Sequence, residues 1–327
     1  MTDNIAHPDH SVIAQIIRRR DCAQRDGRVK LGLVVEGGGM RGAISGGALV
    51  AMEHLGLSAV FDEVYAESSG AINSCYFLAR QGDFGSAIYP DYLSSRRFVN
   101  PLRFGRVIDV DYAVRQVVGE RRRLDVKGVL SAPSRLFVPL TDMRDGTSRL
   151  VDVKGEDIPL LDVLAATCAI APLYNKPEVI AGVRYADGGI SNPIPVASAV
   201  CHGCTHVLVL VTEPIAFVSK GFSNFAKAVS WPIWRSWTVG FREAFERQAA
   251  AYNMARDIAF GRCGAASGVH IGVLAPSGPA AAAVSMMTIS QRRSRDAMDE
   301  TLRSTLELFR SATVQKSGAV RRSEIDG

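Results

Sequence analysis

Short apolar runs alternate with segments of helical hydrophobic period over most of the chain. The continuous run KLGLVVE, closed by glycines, predicts a buried strand at 30–36. Similar runs predict strands at 59–67, 135–143, 206–213 and 268–276. Helical periodicity predicts helices between them, most clearly at 42–55, 69–81, 159–170 and 288–313. Buried strands that alternate with helices predict an α/β fold with a mainly parallel central sheet, covered by helices on both faces.

The same patterns divide the chain into a leader, one domain and a tail. Residues 1–28 are polar and predict a loose leader that contains a short helix. No repeat or linker interrupts 29–313, which we expect to be a single domain. It has a motif-bearing core at 30–212 and a helical, aromatic part at 213–313. The polar segment 314–327 predicts a disordered tail.

The composition is typical of a globular protein, with 47% hydrophobic and 22% charged residues. The first residues lack a basic stretch followed by an apolar stretch, so we expect no signal peptide. No apolar run reaches the ~18 residues that span a bilayer. Six dispersed cysteines, including the lone pair in CHGC (201–204), are typical of reduced cytosolic thiols. We therefore expect a cytoplasmic protein, without excluding peripheral contact with a membrane.

A basic segment supplies much of the net charge of +5. It holds eight arginines, namely Arg96, Arg97, Arg103, Arg106, Arg115, Arg121, Arg122 and Arg123. We interpret it first as a solvated face and second as a surface for anionic lipid. No recognition motif or aromatic ladder accompanies the charge, so we expect no nucleic-acid partner.

All three tryptophans fall within WPIWRSW (231–237), inside an amphipathic, aromatic-rich stretch at 221–258. Basic and aromatic residues at near-helical spacing suit a core helix that packs on the sheet. They equally suit a lid over an acyl chain or a helix at a membrane interface. The sequence leaves both interpretations open, with the core helix slightly favoured.

The stretch EGGGMRG joins the first predicted strand to the first predicted helix. Gly37, Gly39 and Gly42 satisfy G-x-G-x-x-G, the fingerprint of a dinucleotide-binding loop. That function needs an acidic residue at the end of the next strand, where Glu63 or Glu67 could serve. Glu67, however, directly precedes a serine-rich turn, so dinucleotide binding is a third choice. Bare N–H groups at a helix N-terminus equally suit a transient oxyanion.

The stretch YAESSGAIN predicts a strand that turns directly into a helix, the layout of a nucleophile elbow. An elbow needs small residues two positions before and two positions after the nucleophile. Ala66 and Gly70 meet this requirement for Ser68 and not for Ser69, so Ser68 is the candidate nucleophile. The competing interpretation is that Ser68 only caps the following helix.

A serine nucleophile needs a base, and none of the histidines lies in a segment typical of one. They are His7, His10, His54, His202, His206 and His270. The better candidate is Asp187 in YADGGISNPIPV, which closes a predicted strand. Gly188 and Gly189 follow it and let the backbone approach another group closely. Taken alone, this segment is equally typical of an Asp-Gly hairpin turn.

Three strand–turn–helix segments thus carry complementary chemistry, and we expect their turns to meet at one end of a parallel sheet. They supply a nucleophile, a base and free N–H groups for an oxyanion. The trio matches G-G-G-x-R-G, G-x-S-x-G and D-G-[GA] in this order, and it resembles the patatin-like phospholipase (lipid acyl hydrolase) family. The resemblance extends through AATCAIAPLYNKPEVIAGVRYADGG and covers about 30–212.

The resemblance implies a patatin-like three-layer fold and an ester hydrolase that acts on phospholipids or related acyl lipids. Ser68 would be the nucleophile and Asp187 the base, a dyad without histidine. An oxyanion hole would come from the glycine loop and a nearby arginine, namely Gly37, Gly38, Gly39 and Arg41. Neither a cofactor nor a metal is implied.

The sequence departs from the family pattern at Ala66, which stands where glycine is usual, and at its neighbour Glu67. Alanine is small enough for the elbow to form with some strain. The extra carboxylate could lower activity or shift the pH optimum. The alternative to an active hydrolase is therefore a weak or inactive lipid- or partner-binding protein with the same fold.

Overall fold

A computed structural model describes residues 9–22, 27–222, 231–263 and 268–325, with side chains described as far as Thr313. In these ranges eight strands form one sheet in the order β5-β6-β3-β2-β1-β7-β8, and β4 pairs with β3. The strands are β1 (Leu31–Val35), β2 (Glu63–Ala66), β3 (Arg135–Asp142), β4 (Ser148–Asp152), β5 (Glu178–Ile180), β6 (Val183–Asp187), β7 (His206–Leu210) and β8 (His270–Leu274).

The described helices precede and follow these strands. They are α1 (His10–Cys22), α2 (Gly42–His54), α3 (Ser68–Leu78), α4 (Gly82–Ser86), α5 (Val126–Ser131), α6 (Leu160–Thr167), α7 (Val196–Cys201), α8 (Val239–Ala259), α9 (Pro279–Ala282) and α10 (Gln291–Ile325). Two segments are π-helical. Tyr89–Leu93 lies before the basic region, and Tyr112–Arg121 lies within it. Their hydrogen-bond period differs from that of an α-helix, which explains why the sequence there shows no strong helical pattern.

The sheet is mixed, with its parallel strands at the centre. Strands β3, β2, β1, β7 and β8 run parallel, whereas β4 and β6 are antiparallel to β3 and β5 is antiparallel to β6. The prediction of a mainly parallel sheet is therefore confirmed. The expectation that all three motif turns follow parallel strands is wrong for the third, because β6 runs in the opposite direction.

Helices cover both faces of the sheet, as the continuous apolar strands predict. Along β1, Leu33 and Val35 point into a core shared with α1, α2, α3, α6 and α10. Val34 points to the opposite face, where it packs with side chains of α7 and α8. Both faces of the strand are buried, which is why its sequence is continuous rather than alternating. The three-layer α/β architecture is confirmed.

The aromatic segment contributes a third apolar cluster next to the sheet. Trp234 and Trp237 are each 6% exposed and pack with Phe241 and Phe245, while Trp231 is 57% exposed. Two of the three tryptophans therefore lie in the core, as the core-helix interpretation predicts, and the third does not. Residues 223–230 of this stretch, like 1–8 and 23–26 of the predicted leader, lie outside the described residues.

Four of the eight arginines of the basic segment form ion pairs. Arg103 and Arg106 both contact Asp109, at 3.1 and 3.0 Å. Arg115 contacts Asp162 at 2.6 Å, and another pair joins Arg122 to Asp91 at 2.9 Å. These pairs balance part of the positive charge, and the interpretation of a solvated face stays a prediction. Of the described helices, none has the length and hydropathy needed to cross a membrane.

The C-terminal helix α10 packs against α2 and continues to Ile325. It therefore includes most of the segment 314–327 that the sequence predicts to be a disordered tail, while 326–327 lie outside the described residues. The division of the chain into a leader, one domain and a tail stays a prediction.

Candidate active site

The glycine loop leaves the carboxyl end of β1 and turns into α2. Gly38 and Gly39 have φ angles of 133° and 61°, a region that side chains with a Cβ rarely adopt. Two hydrogen bonds hold the loop from elsewhere in the chain. Thr212 Oγ1 donates to the Gly37 carbonyl at 2.7 Å, and the Met40 N–H donates to the Met286 carbonyl at 3.1 Å. The loop is thus fixed in a conformation that only glycines permit.

The three amides of the loop are not equivalent. The Gly37 N–H donates to Glu67 Oε1 at 2.6 Å, so it is already engaged. Within the described ranges, the N–H groups of Gly38 and Gly39 donate to no protein acceptor. Both residues line a cleft that also contains Ser68. Two of the three glycines named from the sequence therefore offer free donors, and the third holds the loop in position.

Ser68 occupies a sharp turn between β2 and α3. It is the first residue of α3 and has a φ of 52°, a strained value for a non-glycine residue. Its N–H donates to Thr167 Oγ1 at 3.1 Å, which supports the turn from outside. The N-cap of α3 is Glu67, and no side chain caps the helix. The interpretation of Ser68 as a helix cap is therefore wrong.

The small residues around Ser68 are required by packing. A Cβ on Gly70 would lie 2.6 Å from the Val35 carbonyl and 2.8 Å from the Glu36 carbonyl. Ala66 is fully buried in β2, and the elbow forms with alanine there. The requirement for a small residue after the nucleophile is thus strict, whereas alanine is accommodated before it.

Asp187 ends β6 and faces the elbow from a strand of opposite direction. It pairs with Leu140 near the carboxyl end of β3, which brings it level with the turns after β1 and β2. A Cβ on Gly188 would lie 2.0 Å from the Pro139 carbonyl, so glycine is needed for this approach. Although β6 is antiparallel, the three motifs therefore meet at one edge of the sheet.

The carboxyl group of Asp187 is buried, and only one of its two oxygens has a hydrogen-bond partner in the described part of the chain. Its Oδ1 accepts a hydrogen bond of 2.7 Å from the Gly189 N–H, while Oδ2 has no partner in the described part of the chain. Burial raises the pKa of Asp187 to about 7, against the opposing effects of the Gly189 N–H and the nearby Ser68 hydroxyl. The hydroxyl thus influences the carboxylate without making a formed hydrogen bond to it. Such contacts commonly tighten only when substrate binds.

A second carboxyl group lies beside Asp187. Glu67 is 5% exposed, and burial together with the charge of Asp187 raises its pKa well above the usual range. Glu36 adds to this rise, while the Gly37 N–H and the Arg41 guanidinium oppose it. Two carboxyl groups this close cannot both ionise freely, so the pair carries less than two negative charges near neutral pH.

Arg41 lines the cleft beside the glycine loop. It contacts Glu213 at 3.1 Å, and a Cβ on Gly38 would lie 3.1 Å from its Nε. Glu36 accepts hydrogen bonds of 2.6 Å from the Thr212 N–H and from the Tyr252 hydroxyl. These bonds connect the start of the loop to the segment after β7 and to α8, and the holding role of Arg41 stays a prediction.

The cleft has a volume of about 350 Å³ and joins the three motifs to the C-terminal part of the chain. Aromatic side chains (Phe217, Phe222, Phe245 and Tyr252) and charged ones (Lys220, Glu213 and Glu246) both line it. No histidine is among its described lining residues. A larger cavity of about 580 Å³ lies between α1, α2 and α10 and does not include Ser68 or Asp187.

Sequence reasoning missed the residues that support the site from the C-terminal third. Thr212 lies within the predicted strand 206–213, but nothing in the sequence connects it to Gly37. Tyr252 and Met286 carry no motif and reach the loop only through the packing of α8 and of the segment before α10. The described residues contain no cluster of three or more side chains that could hold a metal ion.

Comparisons with known proteins agree with the motif trio. A family model described as patatin-like phospholipase matches residues 33–200. Uncharacterized protein YjjU of Escherichia coli (strain K12) is 30% identical over 191 residues, which are 57% of this chain and 52% of that protein. The chain therefore spans about half the length of this curated relative.

Two solved structures illustrate the similarity in three dimensions. VipD from Legionella pneumophila is 12% identical with a TM-score of 0.44, over 86% of this chain and 67% of that one. Human GIVD cytosolic phospholipase A2, solved with methyl gamma-linolenyl fluorophosphonate, is 13% identical with a TM-score of 0.39, over 92% and 62%.

Proposed function

Because the chain belongs to the patatin-like phospholipase family, we propose that it is a serine hydrolase that cleaves carboxylic ester bonds of phospholipids or related acyl lipids. One observation carries the proposal. Ser68, on a strained turn, lies near a buried Asp187 oxygen that lacks a partner, beside the free N–H groups of Gly38 and Gly39. This arrangement supplies nucleophile, base and oxyanion donors without histidine.

In the first half of the proposed reaction, Ser68 Oγ attacks the ester carbonyl carbon and its proton passes to Asp187. The carbonyl oxygen becomes an oxyanion that accepts hydrogen bonds from Gly38 and Gly39. When the tetrahedral intermediate collapses, the bond to the alcohol oxygen breaks and Asp187 returns the proton to the leaving alcohol. The acyl group then remains on Ser68 as an ester.

In the second half, a water molecule attacks the acyl-enzyme while Asp187 takes one of its protons. Collapse of the second intermediate breaks the bond to Ser68 Oγ, which recovers the proton, and releases the carboxylic acid. The raised pKa of Asp187, about 7, suits a group that must accept and return a proton near neutral pH. Losing one oxyanion donor typically costs about 10²–10³ in rate.

The rival hypothesis is a non-catalytic lipid- or partner-binding protein in which Glu67 has disabled the elbow. The orientation of the Glu67 side chain argues against this rival hypothesis, because its Oε1 accepts a hydrogen bond from the Gly37 N–H. The same hydrogen bond occupies the carboxyl group that would bind the ribose in a dinucleotide-binding site. An active hydrolase is therefore the better supported function.

A fluorophosphonate probe tests the proposal, because it reacts only with an activated serine. We expect wild-type protein to be labelled at Ser68 and to hydrolyse p-nitrophenyl acyl esters, and Ser68→Ala and Asp187→Asn to lose both properties. Ser74→Ala is the matched control, since Ser74 is a buried serine of the same helix and lines no part of the cleft. Labelling of Ser68→Ala at the wild-type rate would refute the assignment.

A further inference from the structure

Ser68 lies between two spaces of different size. On one side is the cleft of about 350 Å³, with both aromatic and charged groups in its wall. On the other is a small pocket of about 40 Å³. Gly39, Ser68, Ile170 and Met286 line both spaces, so the nucleophile and one oxyanion donor stand at their junction. An ester carbon held at Ser68 can therefore place one substituent in each.

The wall of the small pocket is almost entirely apolar. Its distal side is formed by Ile72, Leu93, Phe98, Ile108, Val110 and Ala113. The hydroxyl of Tyr89, another lining residue, is occupied by Asn73 at 3.0 Å. Burial raises the pKa of the Cys168 thiol well above its usual range, so that side chain stays neutral. Ser69 contributes one buried hydroxyl without a hydrogen-bond partner among the described residues, and the rest of the wall is apolar, so an alkyl group would lose no hydrogen bonds there.

We propose that this pocket holds the acyl chain of the substrate and that its small volume restricts the enzyme to short acyl groups. The inference rests on the proposed serine hydrolase and narrows its substrates to short-chain acyl esters. A water-sized group needs roughly 10–15 Å³ of such space, so the pocket takes about three groups of methylene size. The preferred acyl groups are then about two to four carbons long, as in acetyl to butyryl esters.

The alcohol side of the ester then occupies the cleft. That side is open to the water that must enter for deacylation, and its wall carries Lys220, Glu246 and Gln248. A long alkyl chain placed there would desolvate charged side chains without pairing them. The two spaces thus separate an apolar acyl group from a polar leaving group, and they fix the orientation of the ester over Gly38 and Gly39.

A series of p-nitrophenyl esters from acetate to decanoate, in one detergent buffer, measures the size of the pocket. Each methylene that the pocket buries raises kcat/KM about fourfold, the rate equivalent of ~0.8 kcal/mol. We expect this rise to end near butyrate and kcat/KM for the decanoate to be at least about tenfold lower than for the butyrate.

Two substitutions of opposite effect show whether the pocket sets the limit. Val110→Ala enlarges the pocket and moves the optimum to longer chains, while Ala113→Val fills it and favours acetate over butyrate. Val114→Ala is the matched control, because Val114 is as buried as Val110 and does not line the pocket. A loss of stability alone would lower all rates together and leave the ratios between chain lengths unchanged.

The outcomes separate this inference from the proposed function. If decanoate is cleaved as fast as butyrate in a Ser68-dependent reaction, the protein is a hydrolase and the inference is wrong. The inference is also wrong if Val110→Ala and Ala113→Val keep the wild-type ratios. If no ester is cleaved and Ser68 is not labelled by the fluorophosphonate, the proposed function fails and the inference fails with it.

Discussion

Glu67 Oε1 accepts a hydrogen bond of 2.6 Å from the Gly37 N–H, which ties the nucleophile elbow to the glycine loop. The two segments touch so closely that a Cβ on Gly37 would lie 2.7 Å from the Ser68 Cβ. A Cβ on Gly189 would lie 3.3 Å from Glu67 Oε2. Glu67, the neighbour of the residue that departs from the family pattern, therefore lies where all three motifs meet.

Substitutions of Glu67 separate its hydrogen bond from its charge. Glu67→Gln keeps an acceptor for the Gly37 N–H, so we expect kcat/KM at pH 8 within a few-fold of wild type. Glu67→Ala leaves a buried N–H unpaired, which costs ~1–3 kcal/mol and predicts about a 5- to 150-fold loss. Steady-state ester hydrolysis by both variants measures the difference. Equal rates for the two would show that the bond to Gly37 does not position the loop.

The activity should depend on pH through Asp187, which must be ionised to accept the serine proton. Burial raises its pKa from 3.8 to about 7, so kcat/KM should be half-maximal near pH 7 and fall about tenfold per unit below it. In Glu67→Gln we expect the midpoint to stay near pH 7, because burial, and not the charge of Glu67, raises the pKa of Asp187. Glu36 and Arg41 are the other charged groups that act on Glu67. A wild-type profile that is flat from pH 5 to 8 would contradict Asp187 as the base.

Asp187→Asn should stabilise the fold while it abolishes activity. The folded pKa of about 7 exceeds the unfolded value of 3.8, so the folded protein binds this proton more tightly. The resulting stabilisation is full below pH 3.8 and is lost as pH rises through 7. Asparagine cannot ionise, so the Tm advantage of the variant should be larger at pH 8 than at pH 5. A variant less stable than wild type at pH 8 would show that the carboxylate is favourably solvated in the site.

Gly70 and Gly46 provide a matched pair of glycine substitutions in neighbouring helices. In Gly70→Ala the new Cβ would lie 2.6 Å from the Val35 carbonyl, and we expect a loss of about 3 kcal/mol or more with loss of probe labelling. In Gly46→Ala the atom nearest to the new Cβ is 3.5 Å away, so the free energy of unfolding should stay within ~1 kcal/mol of that of the wild type. Chemical denaturation measures both. Similar stabilities would mean that the elbow can move away from β1.

The sequence predicts those parts of the fold and site that depend on local pattern. Continuous apolar runs identify the parallel strands, because both faces of each are buried. The small residues around Ser68 and the glycines after Asp187 identify turns in which the backbone lies so close to other atoms that a larger side chain would clash. These requirements can be read from a single segment, so the predictions that rest on them agree with the structure.

Properties that depend on distant segments could not be predicted in this way. The direction of β6 depends on its pairing with β3, which an apolar pattern does not encode. The bond from Gly37 to Glu67 appears only when two turns meet. Tyr252 reaches Glu36 across the face of the sheet, from a helix whose sequence signals amphipathicity and nothing more. Such residues are visible only after the chain has folded.

The support that Thr212, Tyr252 and Met286 give to the glycine loop has a practical consequence for protein production. The segment that matches the family ends at residue 200, yet each of these three contacts comes from beyond it. A recombinant fragment cut at that boundary would retain Ser68 and Asp187 but lose β7, β8 and the residues that hold the glycine loop. The smallest fragment worth expressing for enzymology therefore extends through α10.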